Sequence, residues 1–266
     1  EQAGLEVNET DLGEWIIQLA HQPPSHMVMP ALHLTKEEVS DLFSEEVKRP
    51  LSNDIQQLVK VARSELREKY FAADVGISGA NIAIAETGTV GIVTNEGNAR
   101  LVATLPKTHV VIVGLEKLVP SFEDAAPILT ALPKSATSQL ITSYVSMITG
   151  PVPNDDGSLK DLHIVLMDNK HTEMAGDPQF REALQCIRCA SCLNVCPVYR
   201  LVGGPVFGHI YTGGIGTILT AWFNELRTTE DIQGLCIGCG KCKEVCPGRI
   251  DIPALILEIR RRLARK

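Results

Sequence analysis

The sequence predicts an α/β domain followed by a smaller, mostly α-helical, cysteine-rich domain. Over residues 1 to about 172, helical periodicities alternate with short apolar runs rich in β-branched residues, the pattern of an α/β fold. All eight cysteines fall between Cys186 and Cys246, in two copies of one spacing. With 266 residues the chain has room for one large domain or two modest ones. The change of character places the two domains at 1–175 and 176–266.

Thr10 stands where it can cap a helix running through Trp15, Ile16 and Leu19. Pro23, Pro24 and Pro30 break the chain after it. Thr35 and Glu38 have capping-box spacing ahead of Val39, Leu42 and Phe43. Ile55, Leu58, Val59, Ala62 and Leu66 recur at helical intervals and predict a helix over Asp54 to Ala72. From Asp74 the period changes. Ala80 to Asn95 reads as two strands joined near Gly88. His109 to Gly114 reads as a strand buried on both faces, as in a parallel sheet. A helix is expected over Pro120 to Leu132, Ser135 to Ile148 fits either helix or strand, Pro151 to Gly157 is a loop, and Leu162 to Met167 reads as another buried strand.

The second region opens on a cysteine motif and continues through a glycine-rich segment, Gly203 to Gly216, into a helix over Thr217 to Leu226. A last helix follows Pro253, with Leu255, Ile256, Ile259 and Leu263 on one side. Its basic end, Arg260, Arg261, Arg262, Arg265 and Lys266, suits a helix C-terminus and reads as a solvated face.

Cys186, Cys189, Cys192 and Cys196 have the spacing C-x2-C-x2-C-x3-C and are followed by Pro197; Cys236, Cys239, Cys242 and Cys246 repeat it before Pro247. This run is an iron–sulfur pattern in which the fourth cysteine serves the other cluster. Two 4Fe–4S clusters are therefore expected, one on Cys186, Cys189, Cys192 and Cys246, the other on Cys236, Cys239, Cys242 and Cys196. Ala190, Ser191, Gly238 and Gly240 let backbone N–H groups approach the sulfurs, and Ile187, Leu193, Val195, Ile237 and Val245 are candidates for shielding the clusters from water. Structural zinc normally takes two separated C-x2-C pairs. A disulfide framework suits a small secreted chain, and haem attachment needs a histidine after C-x-x-C. None of these fits as well.

In the first region, Glu86, Asn95 and Glu96, with Thr87 and Asn98, are candidates to line a pocket beyond strand ends. Gly, Asn and Thr are equally plain turn residues. Lys107 and His109 are weaker candidates, and the His26 loop reads as packed on the core. No P-loop, nucleophile elbow or dinucleotide fingerprint appears, so no catalytic residue is assigned. The net charge of −7 argues against nucleic acid as a partner. No run reaches the roughly 18 apolar residues of a membrane span. The chain opens on Glu1 with no secretory signal in view, and a processed or trimmed chain is one reading of that start.

The stretches Ile77 to Lys107, Cys186 to Arg200 and Cys236 to Asp251 together resemble the iron–sulfur subunit family of the bacterial lactate-utilisation (L-lactate dehydrogenase) complex. Glu6 to Glu14 and Pro23 to His26 also look familial. The resemblance implies a first domain similar to the sugar-phosphate isomerase and CoA-transferase fold, and a helical two-cluster ferredoxin module. It implies an electron-transfer subunit in the oxidation of lactate, a 2-hydroxy acid, to pyruvate, rather than a stand-alone enzyme. Other subunits of a redox complex, flavin-containing or cysteine-rich, would be its partners. A cytoplasmic location follows, with any membrane association made through those partners. The alternative is a first domain that only docks the ferredoxin module onto another dehydrogenase or a membrane reductase. A catalytic α/β domain is the third reading, and Glu86 lacks an identifiable base partner for it.

Overall fold

The structure, a computed structural model, describes residues 4–265. Three helices come first: α1 (Leu12–Leu19), α2 (Lys36–Glu46) and α3 (Ile55–Ala72). Asp11, not Thr10, caps α1, accepting a hydrogen bond from the Glu14 N–H. Its carboxylate also carries the charge that a helix N-terminus favours. Thr35 and Glu38 form the reciprocal capping box of α2, and Asp54 caps α3. The apolar faces of the three helices meet in one cluster, with Trp15 and Phe43 5.0 Å apart at its centre.

Two sheets follow. β1 (Val75–Gly79), β4 (Thr108–Gly114) and β7 (Asp161–Met167) form a parallel sheet in the order β1-β4-β7. β2 (Ile82–Ile84), β3 (Thr89–Thr94), β5 (Leu118–Val119) and β6 (Tyr144–Ile148) form a mixed sheet in the order β5-β2-β3-β6. The β2–β3 hairpin turns at Gly88, whose φ of +67° suits glycine. α4 (Asn98–Thr104) and α5 (Phe122–Thr137) complete the region.

The expected strands are present, but their burial differs. β4 is central, yet only His109, Val111 and Val113 are fully buried, while Ile112 on the other face is exposed. β7 is an edge strand with Ile164, Val165, Leu166 and Met167 exposed, not the buried strand its composition suggested. An apolar run records what a strand can bury; its place in the sheet decides what is covered. The ambiguous stretch divides. α5 continues to Thr137, through Pro127 and Pro133, and Ser138 (φ +59°) ends it before β6.

The second region is helical: α6 (His171–Gly176), α7 (Ser191–Asn194), α8 (Pro197–Val202), α9 (Gly213–Phe223), α10 (Glu230–Gly234), α11 (Lys241–Glu244) and α12 (Ile252–Ala264). Ile215, Ile218 and Leu219 of α9 pack on Leu255, Ile256 and Ile259 of α12. The His26 loop packs on this region: Tyr199 donates to the Ser25 carbonyl at 2.9 Å, and His26 Nε2 lies 3.0 Å from Asn194 Oδ1. Gly204 is required there, because a Cβ would collide with the Ser25 backbone.

Phe43 is 1% exposed. Phe43→Ala is expected to lower unfolding stability by about 3–5 kcal/mol. Thr35→Ala, which removes only the cap, is expected to cost about 1 kcal/mol. Urea denaturation of both variants checks the order; equal losses would show that the three-helix core contributes little.

Candidate iron–sulfur centres

The two cysteine motifs fold alike. Arg188 and Ala190 in the first, and Gly238 and Gly240 in the second, have φ between +60° and +82°. Each loop then enters a one-turn helix, α7 or α11. Left-handed backbone wraps the loop around a centre and is free for glycine. For Arg188 and Ala190 it costs roughly 1–2 kcal/mol each.

The eight thiols line two cavities. Cys186, Cys189, Cys192 and Cys246 line one, with Ile187, Ile215, Ile250 and Ile252. Cys196, Cys236, Cys239 and Cys242 line the other, with Val198, Phe207, Leu235, Ile237 and Ile256. Each cavity thus takes three thiols from one motif and the fourth from the other. Four soft donors in an apolar lining fit an iron–sulfur cube. Gly214 stands between the cavities: it lines the second, and a Cβ on it would come within 2.7 Å of Cys192 Sγ.

Backbone amides reach the sulfurs. The Ile215 N–H donates to Cys192, and the Gly248 and Ile250 amides donate to Cys246. Such bonds stabilise negative charge on a thiolate and raise a cluster's reduction potential. Burial pushes the Cys192 thiol up to about 12 and the Cys242 thiol up to about 11, and raises Cys246 as well. Loading the sites must therefore displace protons.

The surroundings differ from the sequence expectation. Ile187 and Ile237 line the cavities, Ile237 from a largely exposed position, whereas the buried Leu193 and the exposed Val245 line neither. Ile215, Ile250, Ile252 and Ile256, which the motif alone does not single out, supply much of the wall. The basic end of α12 is not only a solvated face. Arg260 donates to the Cys236 carbonyl at 2.6 Å, and Arg262 pairs with Asp177 at 2.8 Å. Cys239 is exposed whereas Cys189 and Cys192 are buried, so the second cavity lies nearer solvent.

Glu86, Asn95 and Glu96 are not brought together. Glu86 is exposed in the β2–β3 turn, while Asn95 and Glu96 follow the other end of β3. At about 3.3 Å per residue, that six-residue strand holds them some 17 Å apart. Asn95 Oδ1 instead accepts from the Ser143 N–H at 3.0 Å and Thr142 Oγ1 at 3.1 Å, fastening the loop before β6. Glu96 accepts from the Leu12 N–H at the start of α1, and burial, then the Asp11 charge, raises its carboxyl. His109 Nε2 lies 2.8 Å from Ser78 Oγ, a buried pair inside the sheet. Sequence reasoning missed another polar group. Glu116, His171 and Arg188 meet where the parallel sheet abuts the first cysteine loop. Superposing the two motifs would have pointed to it, since Arg188 stands where the second has Gly238.

Among the described residues no helix is long and apolar enough to cross a membrane. Residues 182–250 match a 4Fe-4S dicluster domain, and residues 1–167 match a LUD domain. The chain is 46% identical over 264 residues to the lactate utilization protein B of Macrococcus caseolyticus, covering 98% of this chain and 55% of that protein. It is 44% identical over 268 residues to the proteins of the same name from Bacillus licheniformis and Bacillus subtilis, covering 100% of this chain and 56% of each. The chain therefore spans about half the length of the curated relatives it matches. A crystal structure of a DUF162 family protein from Deinococcus radiodurans aligns with a TM-score of 0.29 at 17% identity, over 46% of this chain and 60% of that one. With a LUD domain matched over well more than half its length, this iron–sulfur chain belongs to the LUD-domain family.

Proposed function

We propose that this chain is an electron-transfer subunit of an oxidoreductase complex that oxidises lactate to pyruvate. The observation that carries the reading is the crossing of the cysteine motifs, three thiols and one, in two apolar cavities. We assign one 4Fe–4S cluster to Cys186, Cys189, Cys192 and Cys246, and a second to Cys236, Cys239, Cys242 and Cys196. When bound, such clusters each carry one electron. Oxidising a 2-hydroxy acid releases two electrons, so a pair of sites relays them singly. The thiols and amides hold the sites, and the isoleucine walls exclude water. The carbon chemistry falls to a partner subunit, with a flavin as the natural cofactor for it. The lactate-utilisation names of the relatives support the substrate class. The 1–175 region would be the lactate-utilisation domain, of the sugar-phosphate isomerase and CoA-transferase type, and 176–266 the ferredoxin module. A cytoplasmic location, with any membrane contact through partners, accords with this role.

The separation of Glu86 from Asn95 and Glu96 favours a second reading for the first domain, as a docking scaffold without a substrate pocket. Under that reading, Glu86→Gln and Glu96→Gln leave lactate-dependent reduction in the assembled complex unchanged at full cluster occupancy. A loss of turnover in either would restore a substrate pocket at that residue.

Anaerobically reconstituted chain is expected to hold about eight irons and about eight acid-labile sulfides. Tightly bound zinc without sulfide would overturn the cluster assignment. Cys246→Ala is expected to damage the cluster held by Cys186, Cys189 and Cys192 while sparing that of its sequence neighbours. Electron paramagnetic resonance of the reduced protein distinguishes the two; loss confined to the Cys236 set would show each motif closing on itself.

A further inference from the structure

The carboxyl ends of β4 and β7 lie side by side, with Gly114 paired to Met167. The chain leaves β4 through Glu116 and leaves β7 into His171, so the sheet sets these two side chains together. Both are deeply buried, with 7% and 5% of their side-chain surface exposed. Gly114 makes this approach feasible, since a Cβ there would strike the Glu116 carboxylate. Glu116 Oε1 in turn lies 3.4 Å from Nη2 of Arg188, which sits in the first cysteine loop between Cys186 and Cys189. Arg188 holds a left-handed backbone at the position occupied by glycine in the second motif. In place of that glycine it carries a side chain that reaches Glu116.

The hydrogen bonding is incomplete in a specific way. His171 Nδ1 faces the Asp168 carbonyl, which only accepts, so Nδ1 carries a hydrogen. In the neutral ring Nε2 is then an acceptor, and it stands 3.3 Å from Glu116 Oε2, another acceptor. Neither atom has a hydrogen-bond partner among the described residues. Two buried acceptors facing each other leave a place for one proton between them, while Arg188 on the other carboxylate oxygen helps to hold Glu116 charged without it. The remaining neighbours are the Asp168 carboxylate, whose charge acts on His171 and which accepts from the Thr172 N–H, Lys117 from the same turn as Glu116, whose ammonium is lowered by burial and then by Arg188, and the Tyr211 and Phe223 rings. Phe223 stands edge-on to His171 at 5.4 Å, and Arg188 lies over Tyr211 at 5.6 Å. Lys170, just before α6, and Glu173 on it are exposed.

We propose that the His171–Glu116 pair is a redox-linked proton site: when the cluster of the Cys186 set gains one electron, Nε2 of His171 takes up one proton and holds it against Glu116, with Arg188 coupling the two charges. The inference rests on the cluster reading above and deepens it. Lactate oxidation releases two electrons and two protons, so one proton taken up per electron conserves charge at this site. Added negative charge beside Arg188 weakens that residue's hold on Glu116 and raises the proton affinity of the pair.

The test is a redox titration of the reconstituted full chain, followed by electron paramagnetic resonance, between about pH 6 and about pH 9. One of the two reduction potentials is expected to fall as pH rises, approaching 59 mV for each tenfold change in proton activity, about the limit for one proton per electron. His171→Phe is expected to flatten that curve alone, and Glu116→Gln to flatten or displace it, with the other cluster unmoved. If His171→Phe takes up no iron, His171→Gln replaces it, and the wild-type curve decides in any case. Two flat wild-type curves, or a slope that survives loss of the imidazole, overturn the proposal while leaving the clusters standing. A chain that binds no iron and sulfide overturns the cluster reading and this proposal together.

Discussion

The helical region depends on one requirement: the last cysteine of each motif must lie beside the first three of the other. Cys196 and Cys236 are separated by a long segment, and that segment does the aligning. It turns through Gly213 and Gly214, where any side chain would run into Leu193 or Cys192, and then forms α9. α9 packs against α12, which follows directly from the second motif. The α9–α12 contact thus holds the two loops in register. Its isoleucines serve twice, as the core of the region and as the dry wall of the thiol cavities.

The two centres are unequal because of what covers them. The Cys186 set lies deep, beside the α/β region, with Ser191 Oγ donating to the Ser135 carbonyl and Arg188 reaching Glu116. The Cys236 set lies nearer solvent, behind an exposed Ile237 and Cys239, with Arg260 holding the Cys236 carbonyl. A buried site changes charge in a medium that screens poorly, so neighbouring charges act strongly on it. A more exposed site is better placed to exchange electrons with another molecule.

The α/β region places its carboxyl strand ends against the first cysteine loop. Ligand and charge sites in α/β folds gather at that edge because the strand-to-helix turns converge there. Here the edge meets a cysteine loop of the same chain, and the groups that gather are Glu116 and His171. Two of the polar residues around β3 do local work instead. Asn95 ties down a loop, and Glu96 shares the N-terminus of α1 with Asp11.

The sequence by itself determined the chemistry and most of the local structure. The double cysteine spacing names the donor set, because ligand type and interval follow from which atoms a short loop can aim inward. Capping at Thr35 and Asp54, the helix over Ile55–Ala72 and the hairpin at Gly88 are short-range effects of the same kind. Only the tertiary structure decided the rest. It made β7 an exposed edge, although its composition is that of a buried strand, since coverage depends on neighbours distant in sequence. It held Glu86 and Glu96 apart, because their spacing along the chain becomes the length of a strand. It also joined Glu116 and His171, because parallel strands deliver their ends to one edge whatever the length of chain between them, and packed the cysteine loop against that edge so that Arg188, 72 residues beyond Glu116, reaches it.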